Sequence, residues 1–154
     1  MDACVTALRH TYEADSYPLN WPHDPRRWLT PPGLLHAWVA EHPSGVVAGH
    51  VVLQRVASAH DGDQPVAELS RLYVIPAARR RSIASALVTH AREWASERNL
   101  GLTLTVTDQR RSGAVAFYGA SGWQYTHSTR AGWLAPDGSD VTLRHYVWAA
   151  AGSE

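Results

Sequence analysis

The chain has 154 residues, 45% apolar and 18% charged, and its 14 basic side chains balance 14 acidic ones. That length suits one domain with enough core to fold alone, and the balance leaves no overall field to hold the molecule to a nucleic acid or an anionic membrane. The single cysteine, Cys4, excludes an internal disulfide and a multi-cysteine zinc site; a lone thiol among apolar neighbours reads as a small core residue.

Met1 to His10 shows no cationic region followed by an apolar core, and nowhere are there roughly 18 uninterrupted apolar residues, so a cytosolic protein is expected. Cys4, Thr6 and Leu8 alternate with Val5, Ala7 and Arg9, which predicts a first strand. From His10 to Pro32, five prolines (18, 22, 25, 31 and 32) interrupt Tyr12, Tyr17, Trp21 and Trp28. This composition predicts two short helices, the second over residues 24 to 29, joined by a rigid loop. Leu34 to Glu41 and Val46 to Val56 are rich in apolar and β-branched residues, and Pro43-Ser44-Gly45 supplies a hairpin turn between them. A third such run, Val66 to Ile75, follows the turn Asp61-Gly62-Asp63. These three, with the first strand, predict an antiparallel sheet.

The apolar run containing Leu69, Leu72 and Val74 stops at Pro76. Three arginines follow at 79 to 81, and Ser82 is a candidate N-cap for a helix whose stripe is Ile83, Leu87, Ala91 and Trp94, with Asn99 or Gly101 as its stop. A strand feeding a helix N-terminus through a basic turn makes an anion site, because the first N–H groups are unpaired and the macrodipole is positive there. Leu102, Leu104 and Val106 alternate with threonines, giving a strand, helix, strand crossover and hence a parallel pair. Ser112 to Ser121 predicts a last helix, closed by Gly122 and Trp123. Strands near 123 to 130 and 140 to 149 flank the turn Pro136-Asp137-Gly138.

Two motifs carry a family resemblance. Glu68-Leu-x-Arg-Leu-Tyr-Val74, x-Pro76, then Arg79-Arg-Arg-Ser-Ile-Ala84 resembles the acyl-CoA signature Q/R-x-x-G-x-G/A of the GNAT superfamily of N-acetyltransferases. Ala114-Val-Ala-Phe-Tyr118 with Gly122-Trp123 resembles its second marker. Two markers in order are far more specific than either alone. The resemblance implies an α/β (α+β) fold: a mixed, mostly antiparallel sheet of six to seven strands with a central parallel pair, flanked by about four helices. It implies acetyl-CoA as co-substrate and no metal. Leu72, Tyr73 and Val74 would meet the carrier arm, residues Arg79, Arg80, Arg81, Ser82, Ile83, Ala84 and Ser85 the diphosphate, and Tyr118 the sulfur. Two positions depart from the pattern. Ser82 stands for the first glycine of the phosphate turn, and Arg111 stands where many members carry asparagine.

Similarity to the family implies direct attack of an amine on the thioester. An ε-amine is neutral at pH 7 about once in 2,500 molecules, roughly 4.6 kcal/mol, whereas an α-amine costs only about 1.4. Glu68 is the first candidate base, through water, against the reading of an outward-facing strand carboxylate. His50 is the second, against that of a satisfied core histidine. Tyr118 matches the family's general acid, and the Val74 N–H is the oxyanion donor that the resemblance implies. Tyr17, Trp21, His23, Asp24, Trp28, Tyr125, His127 and Trp133 are acceptor-side candidates, each with a packing or capping alternative. Seven tryptophans suggest a partly aromatic cleft.

The function expected is N-acetylation of a small-molecule or peptide amine; the alternative is a non-catalytic acyl-CoA sensor. Nucleic acid is excluded as a partner by the zero net charge. The sequence is compatible with a monomer or a homodimer.

Overall fold

The computed structural model describes residues 1–15, 17–56, 65–79, 82–108 and 113–148. Its first element is a helix, α1 (Asp2–Asp15), where the sequence predicts a strand over Cys4 to Leu8. Ala7, Leu8 and Thr11 are buried on one side of α1, and Cys4 packs half-buried against the same cluster. A six-residue alternation is too short to separate a period of 2 from one of 3.6; the wider window decides for the helix. The first of the two short helices expected after His10 is the end of α1. The second is α2 (Pro25–Leu29), capped by Asp24, whose carboxylate accepts the Arg27 N–H at 3.2 Å. This cap is the structural reading of Asp24.

Strands β1 (Leu34–Glu41), β2 (Val47–Arg55) and β3 (Val66–Val74) are antiparallel neighbours, without the Cys4 segment. After a short 3-10 turn at Pro76–Ala78, helix α3 (Ile83–Glu97) crosses over to β4 (Gly101–Thr107), which lies parallel to β3. Helix α4 (Gly113–Ala120) leads into β5 (Trp123–Leu134) and β6 (Asp140–Trp148). The sheet order is β1-β2-β3-β4-β6-β5, six strands with one parallel pair. The expected turns at 43–45 and 136–138 are present, with Gly45 at φ 90° and Gly138 at φ 85°. The expected turn at 61–63 lies outside the described residues, as does Arg111.

The sheet carries a core on each face. Val51, Leu53, Ala67 and Leu69 pack with Leu87, Val88 and Ala91 of α3. Tyr73 and Val47 pack with Ala7 and Leu8 of α1 and Leu29 of α2. Among the described residues no helix is long and apolar enough to cross a membrane.

Candidate active site

The alternation of β3 slips by one residue. Ala67 and Leu69 pack toward α3, and so, three positions on, does Leu72. His50 pairs with Tyr73 and Val52 with Ser70, so Arg71 and Leu72 together oppose Val51 in a bulge. Arg71 has φ 52°, a left-handed conformation that costs a non-glycine residue about 1–2 kcal/mol. Three contacts hold it. His50 Nδ1 donates to the Arg71 carbonyl at 2.8 Å, Arg71 Nε donates to the Trp28 carbonyl at 3.2 Å, and the guanidinium lies 4.5 Å over the Trp28 ring. The bulge sends the Tyr73 side chain to the α1 side, where it stacks on His50 at 5.0 Å and donates to the Cys4 carbonyl at 2.9 Å.

Next to the bulge, β3 parts from β4. They pair only from Val66–Gly101 to Glu68–Thr103; β3 then stays with β2, and β4 with β6, leaving a slot. Ile75 N–H donates to the Ala48 carbonyl on β2 at 2.9 Å. By alternation, the Val74 N–H and C=O point toward the slot. Arg79 Nε and Nη2 donate to that C=O at 3.3 and 3.1 Å, and the same guanidinium is ion-paired with Asp15 at the end of α1.

Ser82 has φ 59° and ψ 22° and makes no side-chain capping bond. The expected hydroxyl cap is therefore not formed; a left-handed backbone aims the hydroxyl away from the helix amides. The first helical bond runs from Ala86 N–H to the Ser82 carbonyl at 3.0 Å, and the preceding N–H groups have no intrahelical acceptor. Beside them lies a crevice of about 240 Å³ lined by Val74, Arg79, Ser82, Ile83, Ala84 and Ser85, with Ala78 and Phe117. Gly49 allows α3 to close on the sheet beside it: a Cβ there would lie 2.9 Å from Ile83 Cγ2 and 3.3 Å from the Tyr73 carbonyl oxygen.

The other expected carrier contacts fall outside this crevice. Leu72 packs in the core beneath it, Tyr73 presents only its main chain on this side, and Arg80 and Arg81 lie outside the described residues. Tyr118 is buried beside Phe117, with Trp123 and Tyr146 around its ring. Burial raises its pKa, so the phenol keeps its proton, and Tyr17 on the α1 side adds to that rise.

Glu68 precedes the bulge on the α1 side, beside Arg71. Burial raises its pKa and the Arg71 charge opposes the rise. Burial also lowers the His50 pKa, the bond to the Arg71 carbonyl works against this, and the Arg71 charge adds to it. A carbonyl can only accept, so the bond fixes the proton of neutral His50 on Nδ1. His50 is a core histidine with a satisfied hydrogen bond that pins the bulge. Tyr17, pushed up to about 12 by burial, lies beside Trp28 and Tyr73.

The remaining acceptor candidates divide. Trp21 packs on Tyr12 at 5.2 Å under Arg9, and the neighbouring Asn20 donates to the Leu134 carbonyl at 3.0 Å, tying this loop to β5. Tyr125 stacks under Arg144, His127 lies flat on His145 at 4.2 Å, and Trp133 is exposed. His23 makes no interaction in this cluster.

Sequence reasoning missed Arg71, Asp15 and Phe117. The first had a signal, since an apolar phase running 67, 69, 72, 74 contains the bulge. Asp15 had none, because its partner is 64 residues away.

Among curated proteins none matches the chain. Solved structures share its fold. A probable acetyltransferase from Staphylococcus epidermidis ATCC 12228 is 15% identical with a TM-score of 0.73, over 97% of this chain and 93% of that one. Ribosomal-protein-alanine N-acetyltransferase from Brucella melitensis is 20% identical with a TM-score of 0.71, over 96% and 94%. Arabidopsis thaliana NAA60 in complex with acetyl-CoA is 17% identical with a TM-score of 0.70, over 93% of each chain. A family model described as acetyltransferase (GNAT) family matches residues 2–123, which spans the bulge, the parted strands and the crevice, and this chain belongs to that family.

Proposed function

We propose that the chain transfers an acetyl group from acetyl-CoA to a primary amine of a small molecule or peptide, by direct attack of the amine on the thioester. The observation that carries this reading is the crevice at the start of α3 opening beside the slot between β3 and β4. The fit is chemical as well as spatial. Unpaired helix N–H groups and the Arg79 cation suit a diphosphate, and the Val74 N–H on an open strand edge suits the amide-bearing arm, which can pair with it as an added strand.

Acetyl-CoA supplies an acyl group already activated as a thioester. The chain's own residues supply the rest. Glu68 takes the amine proton through water; burial raises its pKa and so makes it a stronger base than an ordinary carboxylate. The Val74 N–H donates to the carbonyl oxygen as it gains charge. Tyr118, held neutral, gives its proton to the leaving sulfur. Tyr118 belongs to the core on the α3 face of the sheet and Glu68 to the opposite, α1 face. Tyr17 and Trp28 form the aromatic wall on the acceptor side, and Arg71 orders it.

Acetyl-CoA incubated with a panel of α-amines and ε-amines, with free thiol followed over time, tests the reading. Amine-dependent thiol release is expected. Saturable acetyl-CoA binding with no release on any amine would replace the enzyme by an acyl-CoA sensor, and absence of binding would end both.

A further inference from the structure

Arg71 is half-buried at the bulge, and its guanidinium is held by Trp28 alone, through Nε on the main-chain carbonyl at 3.2 Å and Cζ at 4.5 Å over the ring. Those contacts use only the inner nitrogen. Nη1 and Nη2 make no hydrogen bond among the described residues, and no ion pair there includes Arg71.

Glu68 stands half-buried on the same face, where the Arg71 charge opposes the rise that burial gives its pKa. The two nevertheless form no ion pair. A cation and an anion thus lie side by side on the acceptor side without meeting. Taking water from an unpaired guanidinium is costly. A planar fork whose outer nitrogens are both free is shaped for a carboxylate, which it takes with two parallel bonds.

We propose that the acceptor is a free α-amino acid, its carboxylate on the Nη groups of Arg71 and its amine toward Glu68. The inference rests on the acetyl-transfer reading above and names its substrate class. An α-amino acid carries its ammonium and its carboxylate on the same carbon, so it meets both unpaired charges at once. The N-terminal amine of a peptide has an amide in place of that carboxylate and leaves Arg71 without a partner. Tyr17 and Trp28, edge-on with ring centroids 6.2 Å apart, suit an apolar or aromatic side chain. In the reaction the amine nitrogen bonds to the acetyl carbonyl carbon as the C–S bond breaks. Its proton passes through water to Glu68, and the sulfur leaves with the proton of Tyr118. The products are the N-acetyl amino acid and coenzyme A, and proton exchange with water resets both side chains.

Thiol release from acetyl-CoA tests this with α-amino acids from glycine to phenylalanine, each beside its α-amide and its decarboxylated amine. For the best amino acid, kcat/KM is expected to exceed that of both counterparts about tenfold or more. Amine basicity alone favours the amide, because losing the neighbouring carboxylate charge lowers the amine pKa and leaves more of it neutral. Arg71→Met should bring the acid-to-amide ratio to within about twofold, and Arg71→Lys, which keeps the charge but not the fork, should retain part of it. A merely structural role for Arg71 would lower every rate alike and leave the ratio unchanged. Amides or plain amines used as well as the amino acids by the wild type, or an undiminished ratio in Arg71→Met, would overturn the substrate class while leaving acetyl transfer intact. No release with any amine would overturn acetyl transfer and the substrate class with it. A misfolded Arg71→Met would release no thiol at all, and the wild-type comparison with Arg71→Lys then decides.

Discussion

The crevice at the start of α3 and the face beneath α1 and α2 are two sides of one slot built by opposite means. Apart from Phe117, the lining of the crevice comes from between Val74 and Ser85, and among the described residues Arg79 is its one side-chain cation. The opposite face is assembled from Tyr17, Trp28, His50, Glu68 and Arg71, side chains from four elements or loops. A main-chain site depends less on which side chains surround it, so on the proposed function Ser82 in place of glycine should be a mild change. A side-chain site can be rebuilt by a few substitutions, which lets acceptors diverge while the carrier stays the same. Changes in the crevice should therefore read out as affinity for acetyl-CoA, and changes on the other face as turnover.

The largest effect is expected from Glu68→Gln. Removing a positioned base costs about 10²-fold or more in kcat/KM, while calorimetric affinity for acetyl-CoA should stay within about twofold. The pH profile adds a second readout. Because burial, only partly opposed by the Arg71 charge, raises the Glu68 pKa, the carboxylate is protonated, and activity lost, at a higher pH than for an unshifted carboxylate; the variant should lack that acidic limb. A profile unchanged in shape would remove Glu68 as the base and weaken the division between the two faces.

Tyr118→Phe should lower kcat about tenfold with little change in acetyl-CoA affinity. The effect is modest because a thiol of pKa near 8.5 leaves without much help. The buried ring packs between Phe117, Trp123 and Tyr146 and loses only its hydroxyl. Single-turnover thiol release equal to the wild type would sink its role.

Arg79 tests the crevice side. Its guanidinium is already engaged by Asp15 and by the Val74 carbonyl, so a diphosphate must compete for it. Asp15→Asn, which weakens the competitor, should tighten acetyl-CoA binding about threefold, whereas Arg79→Ala should loosen it about fivefold to tenfold. Titration calorimetry giving the same sign for both variants would show that Arg79 belongs to α1 and not to the ligand.

His50 joins the two sides by pinning the bulge. Its lowered pKa means that the unfolded chain takes up a proton more readily than the native protein. Stability is therefore complete above the unfolded value near 6.5 and is lost as pH falls from there through the folded pKa. His50→Phe keeps a ring against Tyr73 but removes both the titration and the bond to Arg71. It should be destabilised by about 1–3 kcal/mol at pH 8 and show a flatter Tm between about pH 5 and 7. An equally steep Tm profile in the variant would place the titration elsewhere.

How much of this was legible from the sequence follows the same division. Wherever a site is contiguous, its pattern is printed in the chain: the apolar run into Pro76, the arginines and the stripe of α3 pointed to the crevice, apolar and β-branched runs between turns to β1, β2 and β3, alternation to β4 and the parallel pair, and the turn at 136–138 to β5 and β6. Helix α1 was misread because Cys4 to Arg9 satisfies both periods over so short a span. The ion pair of Asp15 with Arg79 and the Arg71–Trp28 stack depend on how distant segments dock, which local periodicity does not encode. Between these lies the bulge, written as a phase slip at Leu72, although only the folded chain shows Arg71 in a left-handed conformation held by His50.

Ser82→Gly should have the smallest effect and separates strain from affinity. The left-handed backbone at Ser82 fits the glycine of the family pattern, and a non-glycine residue there costs about 1–2 kcal/mol. That cost falls on folding, because the conformation exists in the free protein and binding need not create it. Glycine relieves the strain but loses more entropy on folding, about 0.5–1 kcal/mol, so the net stabilisation should be between about 0 and about 1.5 kcal/mol. Affinity for acetyl-CoA should change by less than about threefold, even though position 82 lines the crevice. A tenfold gain without a change in Tm would mean that the loop reaches its left-handed form only when the diphosphate binds, and the crevice would then be induced by its ligand instead of waiting for it.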